Sequence, residues 1–311
     1  MSRDAYSYDP QDPRETRPLR GQQRSRPGTR TPGENPETSH RDARSDVSSR
    51  SSRTFLLKPE RLDTPRAFSS RGRPYLLRDS ELRSLGEIGT FRVVTPGDLA
   101  KYAYDGDGSR MERDLRRLKQ ASLVTDKTIE VSRKKALRIV TLTKEGRDLL
   151  RKTNRLPDEQ AIYHGLVKPK EAGHDAALYR MYQKEAARIE RAGGKPVRVI
   201  LDYELKRKLN RGLALLQGQN GNTSERERIA ERHSLRIVEG KVQLPDLRIE
   251  YETEELEPRH IDLDLVTRDY RPRQVSEKAR AGFALYGSAD DAPRLRRILN
   301  DRDLTAELLS L

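Results

Sequence analysis

Apolar residues recur at helical spacing between residues 80 and 120 and predict three consecutive helices. The first is SELRSLGEIGTF. The second begins with Thr95 as its cap, and proline follows in the first turn, where its missing N–H group costs nothing. The third begins at Ser109, which is spaced to form a capping box with Glu112. The residues of this third helix that we expect to face the core are Met111, Leu115 and Leu118.

Alternation with a period of two follows the third helix and predicts two strands, TIEVS and LRIVTLT, joined by a turn. Thr143 then caps a closing helix. Helices followed by a two-stranded ribbon and a further helix are the order of a winged helix-turn-helix, which we assign to residues 76–153. This fold predicts double-stranded DNA as the partner.

Basic residues mark the surfaces that such a fold presents to DNA. The third helix carries a stripe of cations and an amide, and three more cations lie at the turn of the ribbon. Arginine can clamp phosphate or donate two hydrogen bonds to guanine in the major groove. Asp114 falls in the same stripe and opposes non-specific binding. The predicted DNA-contact residues are Arg110, Arg113, Arg116, Arg117, Gln120, Arg133, Lys134 and Lys135.

Charge supports this prediction, although a solvated helix face or a protein-binding winged helix would also carry charged residues. The chain of 311 residues has a formal net charge of +14 and a pI of about 9.9, which favours an anionic partner. Residues 76–153 hold 18 basic and 12 acidic residues, a net charge of +6. Residues 154–311 hold 29 and 27, a net charge of only +2.

Composition also limits where the protein works. Cysteine is absent, which excludes disulfides, thiolate zinc sites and cysteine nucleophiles and fits a reducing compartment. No apolar run approaches the roughly 20 residues of a membrane span, and the N-terminus has no apolar segment typical of a secretory signal. We therefore expect a cytoplasmic protein with no membrane contact.

Composition divides the rest of the chain. Residues 1–75 are rich in Arg, Ser, Pro, Asp and Gly and are predicted to be a disordered basic arm, either a solubilising tail or an added source of DNA affinity. Residues 154–170 are predicted to be a linker. Residues 171–311 mix helices with strands and predict an α/β (α+β) domain, in which VSEKARAGFALY is expected to be a helix.

Acidic residues in this last region form the one group with the composition of a catalytic site. Asp246 precedes a strand, and Asp262 and Asp264 lie two apart on the next, so their side chains share one face. Converging carboxylates can bind Mg²⁺ or Mn²⁺, and Lys278 can stabilise a developing phosphoryl charge. The alternative is that alternating aspartates mark an exposed strand face and that Asp246 belongs to a turn.

The motifs HDAALYR, PDLRIEY, DLDLVT and EKARAGFALY, which follow the predicted winged helix, resemble the replication-relaxation proteins of bacterial plasmids and integrative elements over residues 76–290. The resemblance implies a winged helix joined to a core similar to PD-(D/E)xK nucleases, and a role in plasmid replication or relaxation of supercoiled DNA. It gives Asp246 the first acid position and either Asp262 or Asp264 the second, and it implies that the lysine is Lys278.

The sequence departs from that pattern, because a standard nuclease has lysine two residues after the second acid. Asp264 and Val266 stand at those positions. The match therefore favours a restriction-endonuclease-like domain that is degenerate. No histidines pair as in rolling-circle relaxases, and no GxxxxGK[ST] phosphate loop is present. We expect His174 and Asp175 to cap and pack a helix start.

Three hypotheses remain open from the sequence. The first is a DNA-binding protein of replication-relaxation type that does not cut, and it is the one that the sequence favours. The second is a nicking endonuclease that uses Mg²⁺ or Mn²⁺ held by Asp246, Asp262 and Asp264, with Lys278 completing the site. The third is a winged-helix transcriptional regulator with a protein-interaction domain. A homodimer is compatible with all three.

Overall fold

The computed structural model describes residues 64–132, 135–216 and 223–311 and is a mixed α/β structure. The helices are α1 (Asp79–Phe91), α2 (Pro96–Ala103), α3 (Gly108–Gln120), α4 (Lys144–Lys152), α5 (Pro169–Arg191), α6 (Asp202–Leu216), α7 (Thr223–Arg232), α8 (Pro272–Arg280) and α9 (Ala292–Asn300). The strands are β1 (Arg66–Ser70), β2 (Arg73–Leu77), β3 (Val124–Ser132), β4 (Lys135–Leu142), β5 (Lys195–Leu201), β6 (Ile237–Val238), β7 (Lys241–Val242), β8 (Leu247–Glu252), β9 (Pro258–Leu265), β10 (Ala284–Gly287) and β11 (Leu308–Ser310).

Helices α1 to α4 and the ribbon β3–β4 form the helix–ribbon module, residues 79–152. Two of its predicted caps are confirmed: the Thr95 hydroxyl accepts from the Asp98 amide at 3.1 Å, and the Thr143 hydroxyl accepts from the Gly146 amide at 3.0 Å. The cap predicted for α3 is wrong. Asp107, not Ser109, precedes the helix, and its carboxylate accepts from the Arg110 amide at 2.9 Å.

The ribbon follows α3 and pairs antiparallel from Val124 opposite Leu142 to Ser132 opposite Lys135. Val94, between α1 and α2, forms an isolated antiparallel bridge with Val140 of β4. This bridge and the buried side chains of Leu123, Ile139 and Leu142 fix the ribbon against the helices.

A mixed five-stranded sheet forms the core of the sheet module, residues 169–311. Its order is β11-β10-β9-β8-β5, with β5, β8 and β9 antiparallel and β9, β10 and β11 parallel. The segment VSEKARAGFALY is not one helix: α8 ends at Arg280, Gly282 turns the chain with a φ of 82°, and β10 follows. The strand β10 is buried because both faces of the sheet are covered there: Ala284 and Tyr286 pack in the core that includes α5, and Leu285 packs in the core that includes α8 and α9.

The first described strand and the start of the second lie inside the segment that we expected to be a disordered arm. β1 and β2 form an antiparallel hairpin around Arg71 and Gly72, both with positive φ, and its inner face buries Tyr75 and Leu77. The prediction for residues 1–75 is therefore wrong for residues 66–75. The rest of that segment, up to residue 63, lies outside the described residues.

Helix α5 joins the two modules through one apolar core. The ring of Phe91 on α1 lies 5.1 Å from that of Tyr179 and 4.9 Å from that of Tyr182, measured between centroids. The predicted linker is packed against both modules: the Tyr163 amide donates to the Gly89 carbonyl at 2.7 Å, and the Val199 amide donates to Gln160 Oε1 at 3.0 Å. The helix–ribbon module is thus packed directly against the sheet module and is not connected to it only by a linker. Among the helices described, none combines the length and apolar character needed to cross a bilayer.

Candidate functional site

The outer face of α3 carries three of the predicted DNA-contact side chains in the open. Arg113, Arg116 and Gln120 are exposed and form the α3 stripe. Neither arginine forms an ion pair with any residue in the part of the chain that the structure describes. An exposed guanidinium without a local carboxylate keeps its donors available to an external anion.

Other charged residues of α3 are bound to the protein itself. Arg117 Nε lies 3.0 Å from Glu81 Oε1, and its side chain is 41% exposed. Lys119 pairs with Asp126 of β3, and Glu112 pairs with Arg138 of β4. These pairs orient α3 relative to α1 and the ribbon. Arg110, also predicted to contact DNA, is half-buried.

Asp114 is not part of the α3 stripe, contrary to prediction. Its side chain is 1% exposed and accepts hydrogen bonds from Ser80 Oγ at 2.7 Å and from the Tyr104 hydroxyl at 3.1 Å. Burial raises the pKa of Tyr104, which keeps this hydroxyl protonated as a donor. Asp114 therefore ties α3 to α1 and does not oppose an anion at the outer face.

The predicted ribbon tip is only partly described. Arg133 and Lys134 lie outside the described residues, and Lys135 begins β4 with a side chain that is also outside them. The two strands of the ribbon, β3 and β4, pair antiparallel, as the sequence predicts.

Each of the three predicted catalytic acids has its own cationic partner. Asp246 Oδ2 lies 3.3 Å from His174 Nε2 and accepts from the Leu265 amide at 2.9 Å. Asp264 Oδ2 lies 2.7 Å from Lys278 Nζ, which also donates to the Leu244 carbonyl at 2.6 Å. We call Asp246, Asp264, His174 and Lys278 the charge group.

Asp262 does not join the charge group. It sits opposite Arg248 in the β8–β9 ladder and accepts from both Arg248 Nε at 2.6 Å and Arg248 Nη2 at 2.8 Å. Across the described residues no three acidic or histidine side chains are arranged to hold a metal ion. We expected one metal site formed by Asp246, Asp262 and Asp264. This expectation is corrected, because the Asp262 carboxylate forms a bidentate pair with Arg248 and does not join the other two acids.

Burial and neighbouring charges set the protonation of the charge group. Burial, with a smaller contribution from the nearby Asp246 carboxylate, raises the pKa of Asp264 to about 7. Hydrogen bonds to Asp175 and Asp246 outweigh the opposing effect of burial and raise the pKa of His174 to about 10. Burial alone would raise the pKa of Asp246, but the contact with His174 acts against this effect, and the pKa is lowered. A cationic His174 thus faces an ionised Asp246 at neutral pH.

His174 is a residue whose role the sequence did not indicate. It was expected to cap and pack a helix start, but α5 begins five residues earlier at Pro169, and His174 contacts Asp246 from its second turn. Its partner is 72 residues away in sequence, so no local pattern could have linked the two.

Arg92 connects the helix–ribbon module to this region and was also missed. It follows α1 in the left-handed region, with a φ of 62°. Its guanidinium Nη1 lies 3.0 Å from Asp175 Oδ2, and its Cζ lies 4.0 Å from the centroid of the Tyr203 ring. Asp175 in turn contacts His174, with 3.6 Å between Oδ1 and Nδ1. A chain of charges, buried at Arg92 and Asp175 and half-buried at His174, therefore runs from the end of α1 to the charge group.

No protein-family model matches this chain, and no curated protein matches it. Among solved structures, the chain is similar to Bacillus subtilis PadR, whose crystal structure was determined in complex with operator DNA. The sequences are 14% identical over 50% of this chain and 91% of that chain, with a TM-score of 0.21.

Proposed function

We propose that this protein binds double-stranded DNA, with the helix–ribbon module acting as a winged helix-turn-helix. In this proposal α3 enters the major groove, and the turn between β3 and β4 lies beside the sugar-phosphate backbone. The observation that carries the proposal is the α3 stripe, whose two arginines are exposed and have no carboxylate partner among the described residues.

Packing around α3 supports the same conclusion. The buried contacts of Asp114 with Ser80 and Tyr104, together with the pair of Lys119 and Asp126, hold the helix in one orientation. Because the helix is already held in place, its backbone loses little conformational freedom when a partner binds its outward side chains. The exposed face of α3 therefore presents its cations in fixed positions to a long anionic partner.

The role that we propose is that of a replication-relaxation protein that binds DNA without cutting it. The proximity of Asp246, Asp264 and Lys278 supports the resemblance to a nuclease-like core. The contact of His174 with Asp246, and the pairing of Asp262 with Arg248 outside the charge group, support a degenerate one. A divalent metal needs several free oxygen ligands, and His174 and Lys278 already neutralise the two acids of the group.

The experiment that tests DNA binding compares a double variant with a charge-matched control. Fluorescence anisotropy on a labelled duplex, over a salt series, would be measured for the wild type, for Arg113→Ala/Arg116→Ala and for Arg226→Ala/Arg228→Ala. The control removes two exposed arginines from α7. We expect the α3 variant to lose on the order of ten-fold or more in affinity and its log–log salt slope to fall by about 0.9 per phosphate lost.

An unchanged dissociation constant for the α3 variant, or equal losses in the two variants, would contradict binding through α3. A wild-type affinity that does not vary with salt would contradict the proposed DNA contact altogether, because phosphate binding releases counterions.

The second candidate function is a metal-dependent nicking endonuclease, which the clustering of Asp246, Asp264 and Lys278 favours. Supercoiled plasmid would be incubated with the protein and Mn²⁺ or Mg²⁺, with EDTA and Asp246→Asn as controls, and then deproteinised. We expect no open circles, together with a mobility shift on the same DNA before deproteinisation. Open circles that require both the metal and Asp246 would establish cutting instead.

A further inference from the structure

A concave cleft lies between the hairpin β1–β2 and the C-terminal half of α3. Its volume is about 310 Å³. The side chains that matter to its chemistry are Arg73, Tyr75, Glu81, Arg117 and Gln120. Gln120 belongs both to this cleft and to the α3 stripe, so the two surfaces are continuous.

The cleft places the hairpin on one flank of α3 and the ribbon on the other. Arg117 and Ala121 line the cleft on the hairpin side. On the opposite flank Glu112 contacts Arg138 and Lys119 contacts Asp126, both on the ribbon. At 100° per residue, the α3 stripe falls between these two flanks. The exposed face of α3 is therefore bordered by a two-stranded ribbon on each side.

The hairpin is firmly attached to the module. The Tyr75 hydroxyl donates to Glu145 Oε1 of α4 at 3.0 Å, and Arg66 Nη2 lies 3.2 Å from Asp79 Oδ2 of α1. Arg71, at the turn, pairs with Asp148 of α4. These contacts and the burial of Leu77 fix the hairpin, so its outward side chains hold defined positions.

The chemistry of the cleft suits an anion. Arg73 is exposed, its Cζ lies 5.7 Å from the centroid of the Tyr75 ring, and it has no carboxylate partner within the described ranges. Arg117 keeps a partly exposed guanidinium beyond its contact with Glu81. Glu81 itself is fully buried, and the Arg78 amide donates to its other oxygen at 2.8 Å, so its charge is compensated within the protein.

We propose that this cleft binds a phosphate of the DNA backbone beside the groove that α3 enters, with Arg73 and Arg117 as the cationic donors and Gln120 as a neutral one. The hairpin then acts as a second flanking ribbon. This inference rests on the proposed DNA binding, since the phosphate lies on the duplex that the α3 stripe contacts. Arginine suits such a site because its planar donors match the oxygens of a phosphate.

The test compares Arg73→Ala with Arg73→Lys and with Arg228→Ala, an equal loss of charge on α7. We expect Arg73→Ala to weaken duplex binding on the order of five-fold, by a similar factor for unrelated sequences, and to lower the log–log salt slope by about 0.9. Arg73→Lys should retain most of the affinity because a phosphate accepts from either cation. Arg228→Ala should leave the slope unchanged.

The outcomes separate this inference from the proposed function. Loss of binding in Arg113→Ala/Arg116→Ala but not in Arg73→Ala would overturn the cleft and leave the DNA contact of α3 intact. No loss in either would overturn both. A further measurement is the thermal unfolding midpoint of the wild type and of Arg73→Ala at increasing concentrations of inorganic phosphate. Stabilisation that depends on Arg73, combined with unaltered DNA binding, would make the cleft a site for a free anion and contradict the backbone contact.

Discussion

The α3 stripe and the charge group are both built from ionisable side chains, but they differ in where their counter-charges lie. Arg113 and Arg116 project into solvent with no carboxylate nearby in the described chain. Asp246 and Asp264 lie within the protein, each against a cation. The first region has charges left for a partner to neutralise, whereas the second is neutralised by the fold.

This difference has an energetic basis. An exposed arginine is solvated by water and costs little stability when no partner is present. A buried carboxylate loses that solvation and must be paired, hydrogen-bonded or protonated. A charged side chain is therefore most available to a partner where the fold leaves it exposed and without a counter-charge. The comparison can be tested by removing one member of each region.

The largest effect is expected for Lys278→Ala, which leaves the fully buried Asp264 without its cation. We expect the free energy of unfolding to fall by about 3 kcal/mol, the low end for breaking a buried ion pair, because Asp264 can take up a proton. Denaturant unfolding at pH 8 measures this. The double variant Asp264→Leu/Lys278→Met should regain part of the loss, and unchanged stability in the single variant would mean that the pair is not structural.

A smaller effect is expected within α3 itself. Arg117→Ala removes the partner of the buried Glu81, so we expect the free energy of unfolding to fall by about 1–3 kcal/mol. Arg113→Ala, on the same helix, should change it by no more than about 0.5 kcal/mol, because that side chain is exposed and unpaired among the described residues. Thermal unfolding of the two variants gives the comparison. Equal losses of stability in the two variants would contradict the distinction between the paired Arg117 and the unpaired Arg113.

A pH-dependent effect is expected from His174. Its folded-state pKa of about 10 exceeds the usual 6.5, so protonated His174 stabilises the fold fully below pH 6.5, and this stabilisation is lost as the pH rises toward 10. The free energy of unfolding should therefore fall between pH 7 and pH 10 in the wild type and fall less in His174→Gln. The raised pKa values of Asp264, about 7, and of Glu87, about 8, also lower the stability as the pH rises to those values, so the difference between the two proteins, and not the wild-type curve alone, reports the histidine. Parallel curves for the two proteins would contradict the pairing with Asp246.

The smallest effect is expected from divalent metal. Because His174, Arg248 and Lys278 already pair with the three acids, adding Mg²⁺ or EDTA should leave the thermal midpoint unchanged within experimental error. Differential scanning fluorimetry with matched ionic strength measures this. A metal-dependent increase in the midpoint that disappears in Asp246→Asn would show a metal site and reverse the comparison.

Features set by neighbouring residues could be predicted from the sequence. The caps at Thr95 and Thr143 depend on a side chain and an amide three residues apart, and both are present. The long helix α5 and the strand β9 also follow from local periodicity. The hairpin β1–β2 was missed because its strands are only five residues long and lie in a polar segment, although the alternation of Tyr75 and Leu77 beyond the turn at Gly72 was a usable signal.

Features set by distant partners could not be predicted. Asp114 lies three residues after Met111 and four before Leu118, at the edge of the apolar face of α3, and its contact with Ser80, 34 positions away, shows that it is buried. Asp262 and Asp264 are equivalent in the sequence pattern, yet the position of Arg248 on the neighbouring strand separates them. The chemistry of the acids therefore depends on which cation the fold brings to each one.

Because helix α5 packs against both modules, it limits how the two modules can be exchanged by recombination. Tyr179 packs edge to face against Phe91 and Tyr102 of the helix–ribbon module, while Glu185, six residues further on, accepts from the Tyr286 hydroxyl of the sheet at 2.6 Å. A recombination event that exchanged either module for an unrelated one would leave one side of α5 without a matching surface. The two modules are therefore expected to be transmitted as a unit, and a chimera should fold only when α5 and both of its neighbouring surfaces come from the same parent.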